Sequence, residues 1–134
     1  MPILGEDIEI QAGDYTELLF ANLGDLTGRT KLWFTLKASK GDTDVQSLAK
    51  IEETIGLEYI AGMAAGTPAN GSITVTSVLA GNITVALEAV ESVKIIEHAG
   101  KGYYGVKWVN AAGQALTLTR ARARIISDVT RETA

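Results

Sequence analysis

Apolar and polar residues alternate along much of this chain. In residues 31–38, KLWFTLKA, Leu32, Phe34, Leu36 and Ala38 fall on one side and Lys31, Trp33, Thr35 and Lys37 on the other. A period of two is that of a strand with one wall on a core and the other facing solvent or a partner. The same period recurs in DIEI (residues 7–10), where Ile8 and Ile10 alternate with acids, and in YTELLF (15–20), which groups Thr16, Leu18 and Phe20. GSITVTSV (71–78) and GNITVAL (81–87) each begin at a glycine turn and continue in β-branched residues, which favour a pleated surface. YYGVKWV (103–109) sets Tyr104, Val106 and Trp108 on one face, and NAAG (110–113) reads as a hairpin turn into QALTLTRARARII.

Two segments leave the period. DTDVQSLAKIEE (42–53) and LEAVESVKIIEH (87–98) have room for one to three helical turns each, with Asp42 or Asp44 to cap the first. Between them AGMAAGTPANG (61–71) is small and glycine-rich and reads as a mobile loop. About seven short strands separated by turn signals predict an all-β fold, a two-layer antiparallel sandwich with one or two short helical turns. At 134 residues the expectation is one domain spanning 1–134, able to bury about two-thirds of its unfolded surface.

The last run contains a parity conflict. Leu116 and Leu118 share parity with Arg120, Arg122 and Arg124, while Ala121, Ala123 and Ile125 hold the other face. Three guanidinium groups cannot enter a core unpaired. A β-bulge near Thr119 would switch faces; the alternative turns both leucines outward into a partner.

Composition narrows the chemistry. Cysteine is absent, which removes disulfides, thiolate nucleophiles and thiolate metal sites. A net charge of −4 argues against general nucleic-acid binding, but the charge is uneven. Six acids (Glu6, Asp7, Glu9, Asp14, Glu17, Asp25) precede the first basic residue, Arg29, and four arginines fall in the last fifteen positions. MPILGEDIEI lacks both a basic region and a long apolar core, so no secretory signal is expected. No apolar run approaches the roughly 20 residues a membrane span needs.

No reactive constellation emerges. GKGYYG (100–105) matches the glycine spacing of a dinucleotide fingerprint, but that motif must follow a strand and open a helix, and here the glycines lead into a strand. His98 is the only histidine and lacks the spaced partners of a triad or zinc site. Asp42 and Asp44 lack the rest of a calcium loop. Glu52 and Glu53, or Glu88 and Glu91, have no spacing that would fix a glycosidase pair. The expectation is no catalytic residue, no cofactor and no metal.

The TRARAR stripe is more informative. Its arginines stand about 7 Å apart along one strand face. They could protect a sheet edge, pair with acids of the N-terminal segment, or form a docking face for an acidic partner surface, where arginine's planar fork suits carboxylates. Trp33 beside Lys31 and Lys37 poses the same choice between recognition anchor and covered core residue. The interface candidates are therefore Lys31, Trp33, Lys37, Arg120, Arg122 and Arg124. A rival reading makes Trp33 and one or both of Tyr103 and Tyr104 an aromatic platform for sugar rings.

A set of short motifs then appears in order: Gly13-Asp14, LTG at 26–28 leading into KLWFTLK, a D-x-D segment at 42–44, a glycine turn with ITV, GYY at 102–104, and DVTR at 128–131. Together they resemble the immunoglobulin-like N-terminal domain of baseplate upper proteins of tailed phages and prophages, which occur beside tail-fibre and receptor-binding genes. The chain departs from that pattern at Gly105, where the family usually carries an acid, at 62–71, which looks inserted, and in its more basic final strand. The resemblance implies a non-enzymatic structural or adaptor component of a tail or baseplate, often multimeric. It would sit in the virion tail, or in host cytoplasm during assembly. Its partners would be other tail proteins or itself, with neither nucleic acid nor membrane involved.

Overall fold

The computed structural model describes residues 3–4, 6–39, 41–98 and 100–127. In chain order the strands are β1 (Ile3–Leu4), β2 (Ile8–Ala12), β3 (Thr16–Phe20) and β4 (Lys31–Lys37). There follow β5 (Ala49–Glu52), β6 (Gly56–Ile60), β7 (Met63–Ala64), β8 (Gly71–Ser77) and β9 (Asn82–Leu87). A single turn of helix, α1 (Ala89–Ser92), runs into a 3₁₀ stretch at Val93–His98, and β10 (Gly100–Val109) and β11 (Ala115–Ser127) close the fold.

These segments make two sheets. The larger is ordered β1-β11-β10-β4-β5-β6-β7, with β2 also paired to β11, and the smaller is β3-β9-β8. Strands β1 and β2 run parallel to β11; every other pairing is antiparallel. In immunoglobulin lettering the small sheet is B-E-D and the centre of the large one is G-F-C-C′-C″, which is the variable-type arrangement. The chain therefore folds as an immunoglobulin-like β-sandwich.

The inward positions are the ones the alternation assigns. Leu32, Phe34 and Leu36 of β4 and Tyr104 and Val106 of β10 are buried against Ile83, Val85 and Leu87 of β9. Full burial of each large side chain contributes about 1.5–3 kcal/mol. At the centre Phe20 lies 5.4 Å from Tyr104 and 6.2 Å from Phe34, ring centroid to ring centroid. In disulfide-bridged immunoglobulin domains a cysteine follows the strand-F tyrosine by two residues. Here that position is Val106, and aromatic packing among β3, β4 and β10 ties the two sheets instead.

The parity conflict in β11 is resolved by a bulge. Val106 pairs with Thr119 and Lys107 with Thr117, so Leu118 has no opposite number. Leu118 and Thr119 are both buried, after which Arg120, Arg122 and Arg124 point outward and Ala123 and Ile125 inward. Of the two leucines only Leu116 faces solvent.

The first aperiodic segment differs from its reading. Only Asp44–Gln46 turns, as one 3₁₀ turn, and AKIE continues as β5. Neither Asp42 nor Asp44 caps that turn. Thr43 is its N-cap, and the Thr43 backbone N–H donates to Gln46 Oε1 at 2.9 Å. Asp42 instead accepts from the Ser39 N–H at 3.1 Å. Strand β1 and strands β5 to β7 raise the number of strands among the described residues to eleven, against about seven expected. The stretch from 61 to 71 carries β7 and a 3₁₀ turn at Pro68–Asn70. The DVTR motif at 128–131 lies outside the described residues.

Candidate interaction face

The six residues singled out by pattern lie on one surface. In register across the large sheet, Tyr103 sits between Lys37 and Arg122, Gly105 between Thr35 and Arg120, and Lys107 between Trp33 and Thr117. Directly opposed residues in a ladder point to the same side. The β4 stripe (Lys31, Trp33, Lys37) and the β11 stripe (Arg120, Arg122, Arg124) therefore share the outer face, two strand spacings apart, about 10 Å. Strand β10 lies between them and adds Lys101 and Lys107, and β5 adds Lys50 opposite Thr35.

Eight of the chain's twelve basic residues thus project from this face. Strands β4, β5, β10 and β11 contain only one acid, Glu52. Because the whole chain carries −4, the remaining surface is strongly acidic and the molecule is polarised.

Part of this positive charge is neutralised from the rim. Asp44 pairs with Lys37 (3.1 Å) and Lys50 (3.4 Å), and Glu58 also reaches Lys50 (3.3 Å). Burial works against the Asp44 carboxylate, but Lys37 and Lys50 hold its pKa below the ordinary value. Glu9 approaches Arg124 only at 4.0 Å, with both side chains mostly exposed, which is worth little. Among the described residues, Lys101, Lys107, Arg120 and Arg122 have no carboxylate within ion-pair distance.

Edge protection does not account for the arginines. Strand β11 is not an edge: β10 pairs with one side of it and β1 and β2 with the other. Pairing with the acidic N-terminal segment accounts for Arg124 alone, and weakly. Arg120 and Arg122 border a shallow depression of about 740 Å³ floored by Gly105, with Lys37, Tyr103, Lys107 and Asp7 completing its rim. That volume is within the range of ligand sites, about 300–1,000 Å³, but the depression lies open on a sheet surface.

Trp33 is half-buried. Lys31 Nζ lies 5.2 Å from its ring centroid, a cation–π contact, and its indole Nε1 is buried without a hydrogen-bond partner among the described residues. The sugar-platform reading loses Tyr104, whose ring is 4 % exposed in the core and whose hydroxyl donates to the Glu6 carbonyl at 2.8 Å. Tyr103 faces outward but stands four residues along the sheet from the row of Trp33, about 13 Å, with Lys107 beside the tryptophan.

GKGYYG lies within β10 and opens no helix. Glu52, Glu53 and Glu91 have structural partners. The Glu52 carboxylate accepts from the Thr54 N–H (2.8 Å) and hydroxyl (2.9 Å). Glu53 takes a two-point contact from Arg29 at 2.8 and 2.6 Å. Glu91 is bound by Asn70 and Lys94, each at 2.8 Å. The side chain of His98 lies outside those described. Among the described residues no group of three or more His, Asp or Glu is placed to hold a metal ion.

Sequence pattern alone missed Gly105 and Lys107 and offered Tyr103 only for the sugar platform, not for the docking face. The signal was available, since these are the odd positions of YYGVKWV, opposite the inward Tyr104, Val106 and Trp108. Only the pairing of β10 with both β4 and β11 makes them the centre of the face.

No family model matches the chain, and no curated protein matches it. Among solved structures it is similar to the extracellular portion of mouse CD200RLa, with a TM-score of 0.44 and 15% identity over 92% of this chain. The chain spans just over half, 56%, of that one. It is also similar to the NK cell receptor NKp44 (TM-score 0.49, 12% identity, 91% of this chain and 100% of that one). A third is murine CRIg (TM-score 0.42, 10% identity, 92% of each chain). Likenesses this loose add nothing to the assignment of the fold, which stands on strand order.

Proposed function

We propose that this chain is a non-enzymatic docking protein that binds an acidic partner through the outer face of its large sheet. The observation that carries this reading is the set of uncompensated cations on two interior strands. Arg120 and Arg122 project from β11 and Lys107 from β10, with no carboxylate partner among the described residues. Like charges held in rows on one face repel one another, and a partner of opposite sign relieves that repulsion. Such a face steers association and sets specificity more than it adds raw affinity.

The particular setting we propose is a tailed-phage or prophage tail or baseplate, with the chain as a structural adaptor. Its partners would be neighbouring tail proteins or further copies of itself, in the virion or in the host cytoplasm during assembly. The support is the motif order from Gly13-Asp14 through LTG and GYY, which resembles the immunoglobulin-like domain of baseplate upper proteins. The immunoglobulin-like topology agrees with that resemblance without being specific to it.

The test is to purify the chain with each protein encoded by its adjacent genes and to measure complex formation by light scattering. One of them should form a complex that weakens with added salt and is lost in the Lys107→Glu/Arg122→Glu variant. No complex with any neighbour, or one indifferent to the double substitution, overturns the proposal.

A further inference from the structure

Gly105 is the outward position of β10 between Tyr103 and Lys107, and nothing in the fold calls for glycine there. Its φ is not in the left-handed region. A Cβ added to it would stand 3.8 Å from Thr119 O and 3.9 Å from Thr35 Oγ1, which are ordinary contacts. Gly102 on the same strand is different: its Cβ would come within 3.0 Å of the Lys37 carbonyl oxygen, so packing explains it. A glycine inside a strand weakens the sheet and often marks a place where something else approaches the backbone.

What surrounds the bare position indicates the visitor. Arg120 lies directly across on β11 and Thr35 directly across on β4. Tyr103 and Lys107 stand on either side along the strand, and Arg122 and Lys37 sit at the corners. Arg120, Arg122 and Lys107 have no carboxylate partner among the described residues. The result is a pit one residue wide, with a hydroxyl at its floor and cations on its rim.

We propose that Gly105 is a socket for the carboxylate of an aspartate or glutamate carried on an acidic polypeptide segment of the docking partner. The proposal rests on the docking reading above and adds where and by what the face is read. A guanidinium takes a carboxylate through two parallel hydrogen bonds, and Arg120 is placed to do so over an empty floor. A nucleic-acid strand fits the surroundings less well. Asp7 on the rim, Glu9 beside Arg124 and Asp44 beside Lys37 confine the unpaired cations to a short central patch, which suits a flexible acidic segment better than the evenly spaced phosphates of a nucleic-acid strand.

The experiment measures binding of the full chain to a fluorescein-labelled octaglutamate peptide by anisotropy at low salt, with an oligogalacturonate and an oligothymidylate as unlabelled competitors. Gly105→Leu fills the socket without changing charge, and Gly105→Ala adds only a methyl group with room to spare. We expect the leucine variant to bind the peptide about tenfold or more weakly, the loss of one good contact, with an unfolding midpoint no lower than wild type. The alanine variant should shift the same way by less. If Lys107→Glu abolishes binding while both Gly105 variants bind as wild type, the face docks acidic partners but the socket is wrong. If wild type does not bind the peptide, the socket and its acidic occupant both fail. If either competitor displaces the peptide at lower concentration than unlabelled octaglutamate does, and does so only when Gly105 is present, the polypeptide occupant is wrong.

Discussion

Replacing Tyr104 with phenylalanine deletes one oxygen from the core and leaves the packing in place. The ring keeps its contacts at 5.4 Å to Phe20 and 6.2 Å to Phe34, centroid to centroid. What goes is the hydroxyl's hydrogen bond to the Glu6 carbonyl, 2.8 Å long and spanning 98 residues of sequence, which ties the N-terminal segment to β10. A neutral hydrogen bond contributes about 0.5–1.5 kcal/mol net. Because Glu6 is exposed, its carbonyl can turn to water, so the expected cost is about 1 kcal/mol. For a domain of this length that lowers Tm by about 3–5 °C. Tyr104→Ala, which also empties the ring volume, should cost about 3–5 kcal/mol.

The same residue has a pH signature. Burial, with smaller contributions from Asp7 and Glu6 and against a hydrogen bond with Thr119, raises the Tyr104 pKa above its ordinary value. A raised folded pKa means the unfolded chain ionises first. The stabilisation from this group is therefore complete below about pH 10, the unfolded value, and drains away as pH rises from there through the folded value. Thermal unfolding followed by circular dichroism at neutral and alkaline pH should show Tyr104→Phe less stable at neutral pH and the gap closing above about pH 10. Equal midpoints at neutral pH together with parallel alkaline curves would refute the tether.

Two further perturbations test the frame that presents the face. Gly81 has φ +73°, and the backbone of Gly24 occupies the place its Cβ would take, whereas Gly113 (φ +83°) has open space. Gly81→Ala should therefore cost about 2–4 kcal/mol by adding a clash to backbone strain, and Gly113→Ala about 1 kcal/mol, both read from denaturant unfolding. Deleting Leu118 leaves Lys107–Thr117 and Val106–Thr119 as consecutive pairs, so the ladder closes without its bulge while Arg120, Arg122 and Arg124 stay outward, and unfolding should remain cooperative. Leu118→Ala keeps the bulge and should cost no more than about 2–5 kcal/mol.

Much of the fold was readable because its signals are local. KLWFTLKA shows both walls of β4, and the parity conflict in β11 requires a switch near Thr119, where the register slips at Leu118. Segment 42–53 was misread for a reason that local pattern does not contain. Lys50 and Glu52 sit at outward positions yet are buried, Lys50 by its pairing with Asp44 and Glu58 and Glu52 beside Trp33 and bonded to Thr54. Those contacts make AKIE a strand without the usual exposed polar wall. The candidate face was visible as two separate stripes. That they share a side depends on β10 pairing with both, a long-range fact that no short window carries. Tyr104, offered as half of a sugar platform, is in the core because it shares parity with Val106 and Trp108.

The most direct test of the central claim uses the chain's lack of cysteine. A single cysteine placed at Thr117, on the outer face of the large sheet, or at Thr74, on the outer face of the small one, gives a unique handle for alkylation. With a bound neighbour from the adjacent genes, the account predicts that alkylation at 117 slows sharply while that at 74 keeps its rate. Protection at 74 with free access at 117 would contradict it.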